Sequence, residues 1–195
     1  MVSAPSGAGK TTLCREIVKR NPDCVFSISV TTRPRRNGEQ QGRDYYFATP
    51  EEFKKRTETG QLAEWAEVHG HHYGTMKSTL QEITGRGDTV ILDIDVQGGL
   101  QIKAGYPDAL MLFILPSSFE VLRERLVRRQ TEGQEQIEKR IANAAAEIGQ
   151  SGAYTYLLIN DRLEEAVAEF QAILTAEKCR LTRRRQVIEQ FIKFY

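Results

Sequence analysis

Near the amino terminus, glycines, a lysine and hydroxyl residues stand at spacings suited to holding a phosphate chain. Ser3-Ala4-Pro5-Ser6-Gly7-Ala8-Gly9-Lys10-Thr11-Thr12 contains two glycines able to take φ > 0. Such a loop turns successive backbone N–H groups inward, making a nest for anionic oxygens. Ala4, Pro5, Ser6, Gly7, Ala8 and Gly9 form the cradle, and Thr12 lies beside it. Lys10 supplies a mobile cation for the β- and γ-phosphates, and the Thr11 hydroxyl can ligate Mg²⁺. A helix from about Thr11 to Arg20 then aims its positive dipole end at the phosphates. Where the common pattern starts with glycine this chain has Ala4, which is small enough. Only Met1 to Ala4 is available for the preceding strand, short for a buried one.

Three further groups could carry chemistry. Residues 31–42 lack periodicity and hold Arg33, Arg35 and Arg36. Pro34 keeps Arg33 extended, and the loop follows a strand end, where open α/β sheets bind anions. A solvated charged loop fits the charge pattern as well. Asp93 and Asp95 end the apolar run Thr89-Val-Ile-Leu, where an acid can reach the shell of a nucleotide-bound Mg²⁺. Arg123, Arg125, Arg128, Arg129 and Arg140 lie on two helices joined by the polar turn 130–134. That pair is either a lid over a nucleotide or an exposed hairpin with Glu/Arg pairing. His69, His71 and His72 cluster, but no carboxylate or cysteine stands at zinc-ligand spacing, so they are expected to be turn residues.

The elements that position these groups alternate between strand and helix. Cys24–Val30 alternates and is β-branched, which predicts one strand. Tyr45–Phe47 predicts another. Thr49 with Pro50 predicts a capped helix to about Glu58, closed by Gly60. Leu62–Val68 predicts a strand, turning at His69-Gly70-His71 into His72–Gly74. Thr75 is expected to cap a helix to about Gly85. The continuous apolar runs Thr89–Asp95 and Ala109–Leu115 predict strands buried on both faces of a parallel sheet. A helix capped by Ser117 or Ser118 runs through Arg129. Tyr154–Ile159 is the last strand, with Asn160-Asp161 as the cap of a helix whose stripe is Leu163, Val167, Phe170 and Leu174. The basic tail beyond Glu177 is expected to be a surface helix.

Bulk properties bound the function. The chain has 195 residues, net charge +1 and three scattered cysteines. It is long enough for a sizeable core and lacks the basic excess of a dedicated nucleic-acid binder. No apolar run reaches membrane-span length, and no secretory signal precedes the loop. Cys14, Cys24 and Cys179 read as free thiols of a reducing compartment, hence a cytoplasmic enzyme.

Taken together, several motifs resemble the guanylate kinase family, bacterial soluble type. They are the Ser3–Thr12 loop, Ser29-Val-Thr-Thr-Arg-Pro-Arg-Arg-Asn-Gly-Glu, Gly42-Arg-Asp-Tyr-Tyr-Phe, Glu64-Trp-Ala-Glu-Val-His-Gly, Tyr73-Gly-Thr and Asp93-Ile-Asp-Val-Gln-Gly. The resemblance implies an α/β P-loop NTPase fold, three-layer α/β/α with a parallel sheet. It implies a core (1–32, 81–122, 151–195), a small α+β GMP-binding insertion (33–80) and a helical lid (123–150), all in one domain. It implies transfer of the γ-phosphoryl of ATP to GMP with Mg²⁺, and no nucleic-acid or membrane partner. Oligomeric state is left open.

The resemblance also assigns residues. Arg33 and Arg36 would clamp the GMP phosphate, with Ser29, Tyr45 and Tyr73 touching it. Glu64 would read guanine, with Thr75 and Asp95 beside it, since a carboxylate accepts from both N1–H and the N2 amine and adenine offers neither. Lys10 and the loop amides would hold ATP, Arg125, Arg129 and Arg140 would close on the triphosphate, and Thr11 and Asp93 would serve Mg²⁺. Two alternatives stand beside this: a catalytically inactive binding module, or a kinase for another nucleoside monophosphate. The chain departs from the family in the lid turn, where Arg129-Gln130-Thr131 replaces Arg-Gly-Thr.

Overall fold

A computed structural model describes residues 1–68, 70–128 and 134–193, with the backbone alone for 134–136. The chain opens with β1 (Val2–Ser3) and α1 (Lys10–Arg20), then β2 (Cys24–Phe26), β3 (Val30–Thr31) and β4 (Tyr46–Phe47). There follow α2 (Pro50–Glu58), β5 (Leu62–Val68), β6 (His71–Met76), α3 (Lys77–Gly85), β7 (Thr89–Ile91), α4 (Val96–Gly105) and β8 (Leu112–Leu115). Then come α5 (Phe119–Arg128), α6 (Gln134–Gly149), β9 (Tyr156–Ile159), α7 (Leu163–Lys178) and α8 (Arg185–Ile192).

The core layer is parallel. β2 pairs with β7, β1 with β8, and β8 with β9, and a parallel bridge from Val2 to Asp93 joins the two ladders. Their order is β2-β7-β1-β8-β9. Because successive side chains point to opposite faces, two apolar clusters sandwich this layer. Val2, Ile91, Leu112, Ile114 and Leu158 pack with Leu13 and Ile17 of α1 and Phe170 and Leu174 of α7. Met1, Leu92, Ile94 and Met111 pack with Leu80 of α3 and Ile102 of α4. Three layers, α/β/α, result, as expected from the double-sided apolar runs.

A second sheet, β4-β3-β6-β5, is mixed: β3 runs parallel to β4, and β6 is antiparallel to both β3 and β5. It corrects the reading of Cys24–Val30 as one strand. Cys24–Phe26 pairs with β7 in the core, whereas Val30–Thr31 pairs with β6 and β4. Alternation along a segment says which residues share a face, not which partner each end takes. The helix over 50–58 forms as expected, with Thr49 and Glu52 making a reciprocal capping box. Gly60 closes it at φ 66.

Two cap expectations fail. Thr75 lies inside β6, and Met76 occupies the position before α3 with no side-chain bond to the helix. Asn160-Asp161 does not cap α7 either. Arg162 takes that position without a side-chain cap bond, while Asp161 accepts from the Ser117 N–H at 3.0 Å. In both places the side chain is committed to a tertiary partner. His69 and the lid turn 129–133 lie outside the described residues. His72 stacks near Phe53 and Trp65, 5.4 and 5.9 Å between ring centres. Among the described residues no helix is long and apolar enough to cross a membrane, and α8 buries none of its residues.

Candidate active site

The site lies where the carboxyl ends of β1 and β7 meet the second sheet. Gly7 and Gly9 take φ 94 and 83, the left-handed conformations the anion nest needs. Gly9 stands directly before α1, so the nest and the helix start share their N–H groups. Buried Ser3 anchors the loop's base by donating to the carbonyls of Ile94 and Asp95, at 2.9 and 3.1 Å. The loop's far side is held by Asn160, whose amide donates to the Ala8 carbonyl at 2.8 Å.

Asp93 is wired to the loop. Lys10 Nζ lies 2.7 Å from Asp93 Oδ1 and 2.6 Å from the Ile94 carbonyl. The Thr11 hydroxyl donates to Asp93 Oδ2 at 2.8 Å. The lysine, the hydroxyl and the acid that the sequence assigns to triphosphate and metal are thus one contiguous cluster. Thr11 and Asp93 offer hard oxygen donors, the chemistry Mg²⁺ prefers.

Beside the cluster is a cavity of about 180 Å³ lined by Lys10, Ser29, Tyr45, Glu64, Tyr73, Asp93 and Asp95, with Ala66, Val68 and Ile94. Five residues expected at the GMP site, drawn from five separate segments, therefore face one space. Glu64 is only 3% exposed and accepts from the Thr75 hydroxyl at 2.6 Å. Burial pushes its carboxyl up to about 7; the Thr75 hydroxyl opposes this and the Asp95 charge adds to it. Asp95 caps α4, accepting from Gly98 N–H at 2.8 Å. A reciprocal pair of bonds between Gln101 and the Trp65 backbone, at 3.0 and 2.7 Å, fixes α4 against β5.

The arginines divide. Arg33 is 8% exposed, stacked over the rings of Tyr45 and Phe47 at 5.3 and 5.9 Å. Its fork is held by Glu39 at 2.7 Å and by the Pro34 carbonyl at 2.8 Å. Arg36 is exposed on the same loop, its backbone N–H on Glu39. Arg125 donates to the Asn160 carbonyl at 2.8 Å, which couples α5 to the nest through Asn160. Arg140 lies on α6, and Arg129 lies outside the described residues.

Three residues at the site were missed from sequence. Gly98 closes the Asp93-Ile-Asp-Val-Gln-Gly motif with no role expected of it, yet a Cβ there would run into the Glu64 carboxylate. Asn160 is expected as a cap; its position after the last core strand, at the carboxyl edge, is the sequence signal for its place at the nest. Burial pushes the Glu147 carboxyl of α6 up, with the charges of Lys10 and Asp95 acting on it; nothing local in the sequence marks it.

Comparison with known proteins agrees with this geometry. The family model described as guanylate kinase matches residues 1–177, stopping where the basic tail begins. The guanylate kinase of Syntrophotalea carbinolica is 52% identical over 183 residues, 94% of this chain and 87% of the relative. That of Thermotoga maritima is 42% identical over 191 residues, 98% and 92% of the two chains. The crystal structure of guanylate kinase from Anaplasma phagocytophilum superposes with a TM-score of 0.79 at 32% identity, covering 97% of this chain and 92% of that one. The nest, its lysine–aspartate cluster and the buried glutamate beside it are therefore found in a chain that belongs to the guanylate kinase family.

Proposed function

We propose a division of labour within the family's reaction, the transfer of the γ-phosphoryl group of ATP to GMP. The nest amides and Lys10 hold the β- and γ-phosphates. Glu64 accepts from guanine N1–H and the N2 amine, with Thr75 and Asp95 fixing its position. Arg33 and Arg36 take the GMP phosphate, Ser29, Tyr45 and Tyr73 complete that end, and Arg125, Arg129 and Arg140 close from above. The observation that carries this reading is that Glu64, buried and bonded by Thr75, shares one cavity with Lys10. Lys10 must leave Asp93 when a triphosphate enters, so one ion pair is exchanged for another. Arg33 likewise exchanges Glu39 for phosphate, its planar fork already held against the rings.

Thr11 and Asp93 would hold Mg²⁺, which neutralises charge on the transferring phosphoryl group when bound. This chain's own part is positioning and electrostatics, because phosphoryl transfer needs no covalent intermediate. Residues 33–80 and 123–150 act as the acceptor unit and the lid, closing to exclude water. A coupled ADP-release assay with GMP, AMP and UMP tests the reading. GMP turns over far faster than the others; equal rates would sink the role of Glu64.

A further inference from the structure

β5 is the outer strand of the second sheet, bonded to β6 on one side only. An edge strand presents N–H and C=O groups with no ladder partner. At Trp65 both are taken by the core helix α4. The Trp65 N–H donates to Gln101 Oε1 at 3.0 Å, and the Trp65 carbonyl accepts from Gln101 Nε2 at 2.7 Å. A primary amide carries a donor and an acceptor side by side, as a peptide unit does. Gln101 therefore pairs with the edge as one residue of a further strand would. Its second Nε2 proton turns back to the Gln97 carbonyl of its own helix, at 3.4 Å. Among the described residues no other hydrogen bond joins α4 to β5.

The clasp sits where the strand supports itself least. The register of β5 against β6 shifts between Leu62 and Glu64. Irregularities of this kind interrupt the ladder and re-aim a side chain. Glu64 follows the shift directly, and Trp65 is the next residue. Apolar adhesion to the core is slight here: Ala63 of β5, a single methyl group, packs on the cluster that includes Ile102 of α4. On α4, Asp95, Gly98 and Gln101 stand three apart, a spacing that shares one helix face. Asp95 accepts from the Gly98 N–H at 2.8 Å. Gly98 leaves the room that the Glu64 carboxylate occupies. Gln101 grips the backbone next to that same glutamate. One helix face thus shapes the place of the carboxylate and holds the strand that bears it.

We infer that Gln101 is a positioning residue for acceptor specificity: by clasping β5 at Trp65 it holds the Glu64 carboxylate square to the purine edge, so that one carboxylate meets two donors. This rests on the reading of Glu64 as the guanine acceptor. Gln101 touches no substrate and acts through the Trp65 backbone. Without the clasp the irregular strand can shift against α4, and the carboxylate keeps one bond to the base instead of two.

Selectivity between GMP and inosine monophosphate, which has the N1–H but no N2 amine, tests this in the full chain. Gln101→Met keeps the side-chain length and removes both donor and acceptor. It should raise the GMP KM about tenfold and cut the ratio of kcat/KM for GMP over inosine monophosphate by about the same factor. The ATP KM should stay within about twofold of wild type. Gln101→Glu, which keeps the acceptor and loses the donor, should fall between Gln101→Met and wild type. Both acceptors are measured on one preparation, so the folded fraction cancels from the ratio. An unchanged ratio in both variants, whether or not turnover falls, overturns the proposal, because loss of stability alone weakens both acceptors alike. Glu64→Gln separates the two readings, since it should itself collapse the ratio. If it does so and Gln101→Met does not, Gln101 alone loses its role. If Glu64→Gln leaves the ratio intact, the guanine reading fails and the role of Gln101 falls with it.

Discussion

The two halves of the proposed active site are built on opposite plans. The nest of the donor half is contiguous: residues 4–12 supply it, and Asp93, Ile94 and Asn160 brace it from elsewhere in the chain. Its recognition groups are largely backbone amides, held by positive-φ glycines and a helix start. The acceptor half is gathered from Ser29, Tyr45, Glu64, Tyr73 and Asp95, contributed by the second sheet and the start of α4. Its recognition groups are side chains, and its central one is a buried carboxylate whose charge costs desolvation. The donor half thus depends on local conformation, and the acceptor half on how distant segments are assembled.

That difference can be broken open by substitution. Lys10→Ala should lose on the order of 10³-fold in kcat while leaving the GMP KM nearly unchanged, measured by coupled ADP release. Glu64→Ala should do the reverse, losing about 10²-fold in kcat/KM for GMP with the ATP KM intact. If each variant damaged both substrates equally, the two halves would not be separable. Gly98→Ala tests assembly alone: its methyl group meets the Glu64 carboxylate, so kcat/KM for GMP should fall about tenfold through overpacking, again without touching ATP.

Acidity sharpens the contrast. Burial pushes the Glu64 carboxyl up to about 7 in the folded chain, from an ordinary value of 4.5. On the proposed reading guanine binds the carboxylate, so the GMP KM should rise by up to about tenfold per pH unit below 7, and the ATP KM much less. Glu64→Gln should remove the dependence, which separates it from titration of the GMP phosphate itself. The sign for stability is opposite. Between about 4.5 and 7 the folded chain binds more protons at Glu64 than the unfolded one, so this group's contribution falls as pH rises through that window. Denaturant midpoints of wild type and Glu64→Gln across the window check it. The smallest effect lies outside both halves: Thr49→Ala should cost about 1 kcal/mol of stability through the lost capping box, with kinetics unchanged.

Legibility followed the same divide. The nest glycines, the Thr49 cap, the Leu62–Val68 strand and the α7 stripe were all visible, because each is a short-range rule of backbone conformation or face periodicity. The family resemblance named the acceptor residues, but nothing local showed that Ser29 lies between two strands of different sheets. Thr75 and Asn160 misled for one reason. Each has a side chain able to cap a helix, and each gives its hydrogen bond elsewhere: Thr75 to buried Glu64 on the neighbouring strand, Asn160 to the Ala8 carbonyl.

By itself the sequence determined the three-layer α/β/α core, the phosphate nest and the kind of chemistry, since those rest on φ angles, strand and helix periods and charges set residue by residue. Only the tertiary structure decided that Lys10 and Thr11 lie on Asp93 and that Gly98 makes room for Glu64. Those depend on which strands become neighbours, and strand neighbours are selected by burial and backbone hydrogen bonding across the whole sheet, not by any one stretch of it.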